Sequence, residues 1–156
     1  MILKLKYLIT KCDKLRGHHT IGLCHGCFDL LHYGHLQHLK EAKEQCDILI
    51  VTVTRDIFID KGVGRPIFNE EQRAEMLNEL RCVDYVSLNA WSTAVNTIKG
   101  IKPDIFFKGI DYIDECDEGF KRELGVLKEN NGKLIVTNTK KYSSTDLVRK
   151  LNESHM

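Results

Sequence analysis

His32 and His35, separated by Tyr33 and Gly34, are the residues of this chain best placed to do chemistry. Two imidazoles three residues apart on a helix project to the same side, and a glycine between them lets a ligand approach the backbone. Residues 20–24 just before them are an apolar run with the character of a buried strand, whereas Leu36, Leu39, Ala42 and Cys46 recur at roughly helical spacing. The histidines therefore open a helix that follows a strand. The free N–H groups of a first helical turn and the helix dipole favour an anion there, so two donors converge on an oxygen-rich group such as phosphate. A lone histidine at a helix start is more often a solvated or capping residue. The strand, the glycine and the paired donors together point instead to an anion site.

The elements that must position this turn are legible further along. Residues 48–54, Ile-Leu-Ile-Val-Thr-Val-Thr, are a continuous β-branched stretch, as expected of a strand buried on both faces of a parallel sheet. Asn69 reads as an N-cap with Gln72 three residues on, and starts a helix through Arg81 that buries Ala74, Leu77 and Leu80. A strand over 83–88 follows, then a helix over 92–99 closed by Gly100, and a strand over 104–108 behind Pro103. The spacing predicts a polar helix over 118–130 with Asn131 and Gly132 as its stop, a strand over 134–137, and a last helix from Ser143 or Ser144 to Leu151. Strands and helices alternate, so the expected fold is α/β: a Rossmann-like, doubly wound, five-stranded parallel sheet with helices on both faces. Residues 1–17 form an N-terminal helical segment of open role, ahead of a domain over 18–152.

In such a sheet, ligands bind beyond the carboxyl ends of the strands. The loops that fall there are 26–35, 54–66, 108–112 and 139–145, and each carries what a nucleotide site needs. The first brings Gly26, Cys27, Phe28 and Gly34 beside the histidines. The second holds the flexible cationic run Lys61-Gly62-Val63-Gly64-Arg65. The last places Lys140, Lys141, Ser143, Ser144 and Thr145 at another helix start, where Ser143 reads equally as half of a capping box with Asp146. Asp29 and Asp56 close the first two strands, either as turn and cap residues or as ligands of a substrate or Mg²⁺.

Composition bounds the partners. The chain has 156 residues, 42% hydrophobic and 29% charged, which is enough for one domain with a real core. A net charge of +1 leaves no electrostatic footprint for bulk nucleic acid or a membrane surface. No apolar run approaches the roughly 20 residues that span a bilayer, and the first 17 residues are too charged for a signal peptide. The expected location is the cytoplasm, where the six cysteines read as free thiols. Cys24 and Cys27 have a spacing that can hold zinc or do redox chemistry, with His18, His19 and His25 nearby. No second pair of this kind exists, and the expectation is that the chain itself binds no metal.

Taken in order, the stretches from Gly26 to His35, Arg65-Pro66-Ile67, Cys82-Val83-Asp84-Tyr85, Lys108-Gly109-Ile110-Asp111-Tyr112 and Tyr142-Ser143-Ser144-Thr145 resemble the cytidylyltransferase-like nucleotidyltransferase family. Within it, the chain is most similar to heptose-1-phosphate adenylyltransferase domains and then to glycerol-3-phosphate cytidylyltransferases. The resemblance runs from about Thr20 to Leu151. It implies that His32 and His35 contact the α-phosphate of a nucleoside triphosphate and that Lys61 meets the substrate or the phosphates. It further implies that Arg73 meets the nucleotide, that Lys108, Gly109, Asp111 and Tyr112 line the base region, and that Ser143, Ser144 and Thr145 hold the triphosphate tail. Two positions depart from the pattern. Asn138-Thr139-Lys140-Lys141-Tyr142 stands where the glycerol phosphate enzymes carry Arg-Thr-Glu-Gly-Ile, and His25 stands where the heptose enzymes usually have asparagine. Similar modules occur fused to sugar-kinase-like domains, so a homodimer and a larger fused protein are both compatible with this chain, and the terminal Ser154-His155-Met156 has the look of a cloning remnant.

The implied reaction is in-line attack of an acceptor phosphate oxygen on the α-phosphorus, with pyrophosphate leaving and Mg²⁺ bridging the phosphates. The acceptor would be a phosphorylated sugar or polyol, with ATP modestly favoured over CTP, and a glycerol-3-phosphate cytidylyltransferase as the alternative. Two rival classes share parts of the pattern. Class I aminoacyl-tRNA synthetases have the same histidine signature, but this chain is too short for tRNA-binding domains and lacks a Lys-Met-Ser-Lys-Ser loop. A non-catalytic nucleotide-binding module would share the fold without needing both histidines.

Overall fold

The computed structural model describes residues 1–110, 113, 117–138, 149–151 and 153. Their elements run α1 (Leu5–Leu15), β1 (Ile21–Gly26), α2 (Tyr33–Lys43), β2 (Ile48–Thr54), a 3₁₀ turn (Asp56–Phe58), α3 (Glu70–Asn78), β3 (Tyr85–Asn89), α4 (Val95–Ile101), β4 (Ile105–Gly109), α5 (Glu118–Glu129) and β5 (Lys133–Thr137). All five strands are parallel, in the order β3-β2-β1-β4-β5. The continuous β-branched run of β2 lies between β1 and β3, with Leu49 to Val53 buried.

Two apolar layers follow from the alternation of side chains across the strands. On one face, Cys24, Leu49, Val51, Val53 and Phe107 pack against Leu39 and Ala42 of α2 and Ala74 and Leu77 of α3. On the other, Ile21, Leu23, Ile50 and Phe106 meet Leu8 and Cys12 of α1, Ile98 and Ile101 of α4, and Val126 and Leu127 of α5. The sheet is thus wound on both faces, as the strand-helix alternation predicts. The N-terminal segment has a definite place in it. Helix α1 packs in the second layer, Ile2 bridges to Val86 of β3, and Arg16 donates to the carbonyls of Ile101 (2.7 Å) and Lys102 (2.6 Å), satisfying the open end of α4.

Several helix ends differ in detail from expectation. Asn69 and Gln72 do form the capping box, each side chain bonding the other's backbone N–H, but α3 stops at Asn78, three residues before Arg81. Gly100 lies inside α4, and the left-handed residue that ends the helix is Lys102 (φ 49°). A Cβ on Gly100 would stand 2.5 Å from Ile9 Cδ1, so this glycine serves the contact of α1 with α4. At the end of α5 the left-handed turn falls to Asn131 (φ 60°). Gly132 is there for space, since a Cβ would come within 2.6 Å of the Pro103 carbonyl. Of the predicted C-terminal helix, residues 149–151 are described and helical, and Ser143 and Ser144 lie outside the described residues.

Candidate active site

The strand order places β1 beside β4, and the chain reverses its direction of winding between them. A crevice opens at such a switch point because the loops leaving the two strands part to opposite faces. The loop after β1 enters α2 from above the sheet, carrying His32 at the position before the helix and His35 in its first turn. Between them and the strand, Phe28 is held at φ 49°, a conformation phenylalanine seldom adopts. Burial and its packing on the His35 ring (centroids 5.2 Å apart) hold it there, and Gly26 makes room, since a Cβ would lie 3.2 Å from the Phe28 ring.

The two histidine rings stack with centroids 3.8 Å apart and planes 26° apart. The pair is spaced as a capping box, in which the His32 backbone N–H donates to His35 Nδ1 at 3.3 Å. That bond makes Nδ1 an acceptor, so the proton of a neutral His35 ring sits on Nε2. The buried His32 Nδ1 has no hydrogen bond of normal geometry. Burial pushes the His35 pKa from 6.5 down to about 3, assisted by the charges that His32, His38 and Lys61 would add, and it lowers His32 as well, with Lys61 assisting. Both rings are therefore neutral near pH 7. Lys61 is exposed, and its charge reaches His32, His35 and Cys27. A neutral histidine pair with a cation within electrostatic reach suits a phosphate whose negative charge grows during reaction.

The structure brings Gly26, Cys27, Phe28, His32, Gly34 and His35 into one turn, with Lys61 within electrostatic reach. Four other candidates have side chains already engaged by the protein, and for Asp29 and Asp56 this favours the turn-and-cap alternative. Arg73 is fully buried, and its guanidinium donates to the carbonyls of Phe68 (3.0 Å), Cys27 (2.5 Å) and Thr54 (2.8 Å) and to Asp56 (2.6 Å), so it clamps the ends of β1 and β2. Asp56 also accepts from the backbone N–H of Glu70, capping α3. Asp29 is buried and accepts from Arg65 and from the Ile67 N–H (2.6 Å), which ties down the loop that carries Lys61. Lys108 points to the α5 face, where it pairs with the buried Glu123 (3.2 Å), which in turn accepts from the Ala94 N–H at the start of α4. Gly109 ends β4 at the crevice. Asp111, Tyr112, Lys140, Lys141, Ser143, Ser144 and Thr145 lie outside the described residues.

Cys24 is buried in the core and Cys27 is in the turn. Cys12, Cys24, Cys27, Cys46 and Cys82 are free thiols, and among the described residues no group of three or more His, Cys, Asp or Glu could hold a metal. Among them, too, no helix is long and apolar enough to cross a membrane. Two further histidines lie in this region: His25, noted in the sequence beside Cys24 and Cys27, and His38, which the sequence did not single out. His25 Nδ1 lies 3.0 Å from Thr52 Oγ1, and burial together with the Lys108 charge pushes its pKa down to about 3. His38 Nδ1 lies 2.6 Å from Thr137 Oγ1 at the end of β5. The only signal for His38 was its place three residues after His35.

These depressed values fix a sign for pH dependence. Between pH 6.5 and about 3, the unfolded chain binds protons at His25 and His35 that the folded chain refuses, so stability is complete above pH 6.5 and is lost as pH falls through that window. The expected result is a urea midpoint lower at pH 5 than at pH 7, with a smaller fall in His25→Gln. An equal fall in both proteins would remove His25 from the account.

Comparison with known proteins agrees with this geometry. The cytidylyltransferase-like family profile matches residues 23–150, and the chain belongs to that family. It is 36% identical to the bifunctional protein HldE of Helicobacter pylori strain P12 over 99% of its own length, α1 included, and 38% identical to HldE of Caulobacter vibrioides over 85%. It spans only about a third of the length of these relatives, 32% and 27%. Among solved structures, a lipopolysaccharide core biosynthesis protein from Thermoplasma volcanium superposes with a TM-score of 0.62 at 31% identity, covering 80% of this chain and 99% of that one. A pantoate-beta-alanine ligase from Francisella tularensis shares the fold alone, with a TM-score of 0.61 at 15% identity, covering all of this chain and 78% of the other.

Proposed function

We propose that this chain is a nucleotidyltransferase that moves a nucleoside monophosphate from a nucleoside triphosphate to a phosphorylated sugar or polyol and releases pyrophosphate, with ATP modestly favoured over CTP. The observation that carries this reading is the stacked, neutral histidine pair at the start of α2 beside the switch point, with His35 Nε2–H free of the bond made at Nδ1. In this reading the acceptor phosphate attacks the α-phosphorus in line. Charge builds on the non-bridging oxygens, and His32 and His35 donate more strongly as it does. Lys61 balances the phosphate charge, while the turn of Gly26, Cys27, Phe28 and Gly34 lets the nucleotide approach the backbone. Asp111 and Tyr112 are proposed for the base region, and Ser143, Ser144 and Thr145 for the triphosphate tail.

Mg²⁺ would arrive with the triphosphate, held by its phosphates and by water, because Asp29 and Asp56 are occupied by Arg65 and Arg73 and do not form a carboxylate cage. Its contribution when bound is neutralisation of the tail. The free thiols fit a cytoplasmic setting, and the HldE relationship fits a role in carbohydrate biosynthesis, with the chain working as one unit of a longer protein or as a homodimer.

The test is pyrophosphate release with ATP, CTP, GTP and UTP against a panel of phosphorylated sugars and polyols in Mg²⁺. ATP with a sugar phosphate is the expected best pair. CTP with glycerol 3-phosphate as the best pair would replace the substrate assignment by the cytidylyltransferase alternative. Tight nucleotide binding with no turnover of any acceptor would favour a binding module.

A further inference from the structure

Beyond the histidine pair, α2 makes two side-chain bonds to the end of β5, the strand at the far edge of the β1/β4 crevice. His38 Nδ1 lies 2.6 Å from the hydroxyl of the fully buried Thr137, and Glu41, one turn on, accepts from the backbone N–H of Asn138 at 3.3 Å. Thr137 also donates to the Lys108 carbonyl at 3.4 Å, so the contact reaches β4 as well. His38 lies three residues after His35, one turn further along the same helix. Its ring lies about 4.5 Å further along the axis than that of His35.

A short helix whose first turn is held by one 3.3 Å bond and ring packing gains register from a further fixed point along its length. In the middle of α2 the contacts are the apolar ones of Leu39 and Ala42 with the sheet, which tolerate small slides along the axis, and the ion pair of Lys43 with Asp84 (2.7 Å) lies at the last turn, remote from the histidines. A single short hydrogen bond between the half-buried His38 and the fully buried Thr137 does not tolerate such slides. The ring is neutral, since burial and the Lys108 charge push its pKa down to about 4, so the bond is a neutral one near pH 7.

We infer that His38, bonded to Thr137, is a positioning residue that holds His32 and His35 in register with the end of β5. Neither His38 nor Thr137 touches substrate in this account. The functional part of the inference rests on nucleotidyl transfer as proposed above, whereas its structural part does not.

The test uses His38→Leu, His38→Asn and Thr137→Val in the full chain. Asparagine keeps a polar atom where Nδ1 lies, and its amide can bond the Thr137 hydroxyl in either sense, whereas leucine and valine fill the space without bonding. A misplacement of about 1 Å at reacting groups can cost on the order of 10²-fold in rate. We expect kcat to fall by that order in His38→Leu and Thr137→Val, with KM for the triphosphate little changed and no further loss in the double variant, and we expect His38→Asn to recover most of it. A merely structural bond would lower the melting temperature and leave kcat per folded molecule unchanged, and that result would overturn the inference. Imidazole ¹⁵N spectra give a second readout that needs no activity. His35 should show a single Nε2–H tautomer in the wild type and a mixture in Thr137→Val, and an unchanged His35 signal would also overturn it. A wild type with no transferase activity but the expected spectra would sink the functional proposal while leaving the positioning role standing.

Discussion

Replacing His35 by alanine is expected to cut turnover by about 10²- to 10³-fold, or roughly 3 to 4 kcal/mol of transition-state stabilisation, the usual cost of removing one donor from a developing oxyanion. The geometry separates the two jobs of this ring. Nδ1 accepts from the His32 N–H and so orients the imidazole, while Nε2–H is left to donate. Asparagine at this position keeps an acceptor near Nδ1 and loses the outer donor, so His35→Asn should be as slow as His35→Ala. Glutamine can bring an amide N–H near the Nε2 position and should recover part of the rate. Circular dichroism and the urea midpoint establish that each variant is folded. A folded His35→Ala with near-normal turnover would show that the histidine pair does not stabilise the reacting phosphate.

The largest expected effect on stability belongs to Arg73→Met. Methionine fills similar space but donates nothing, so the carbonyls of Cys27, Thr54 and Phe68 and the carboxylate of Asp56 all lose a partner at a site where the arginine itself is completely buried. Leaving a buried or partly buried carbonyl without its donor typically costs about 1 to 3 kcal/mol, and Asp56, partly exposed and still bonded to the Glu70 N–H, adds less, so a total loss of about 3 to 5 kcal/mol is expected. That is a large share of the roughly 5 to 15 kcal/mol by which domains are stable. Arg73→Lys should recover little, since one ammonium cannot reproduce the fork that reaches two strand ends and the 3₁₀ turn together. The measurement is the urea midpoint at constant slope. A loss below about 1 kcal/mol joined to weaker nucleotide binding would return Arg73 to the role its family resemblance implied.

Arg73 illustrates which contacts a sequence cannot display. Family resemblance implies a nucleotide contact for this arginine, and only the convergence of β1, β2 and the 3₁₀ turn on one point shows it as a clamp. Asp29 was read as either a brace or a ligand. The deciding fact is Arg65, which stands thirty-six residues away in the chain. Lys108 sits in a loop-side motif, yet strand alternation directs its side chain with Phe106 to the α5 face, where Glu123 waits. Helix ends were blurred for a related reason: glycine marks both left-handed turns and close contacts, and Gly100 and Gly132 are of the second kind.

What the amino-acid sequence determined by itself was local or periodic: the apolar run of β2, the Asn69 capping box, the alternation that makes a parallel sheet, and the His32-x-Gly-His35 turn after a strand. Propensity, capping and helical spacing act over a few residues, so these need no knowledge of the rest of the chain. The tertiary structure alone decided which charges are spent inside the protein, the stacking and tautomer of the histidine pair, and the contact of His38 with Thr137. Those depend on groups distant in sequence meeting in a dry interior, where a hydrogen bond or a charge pair is worth enough to settle the role of each residue.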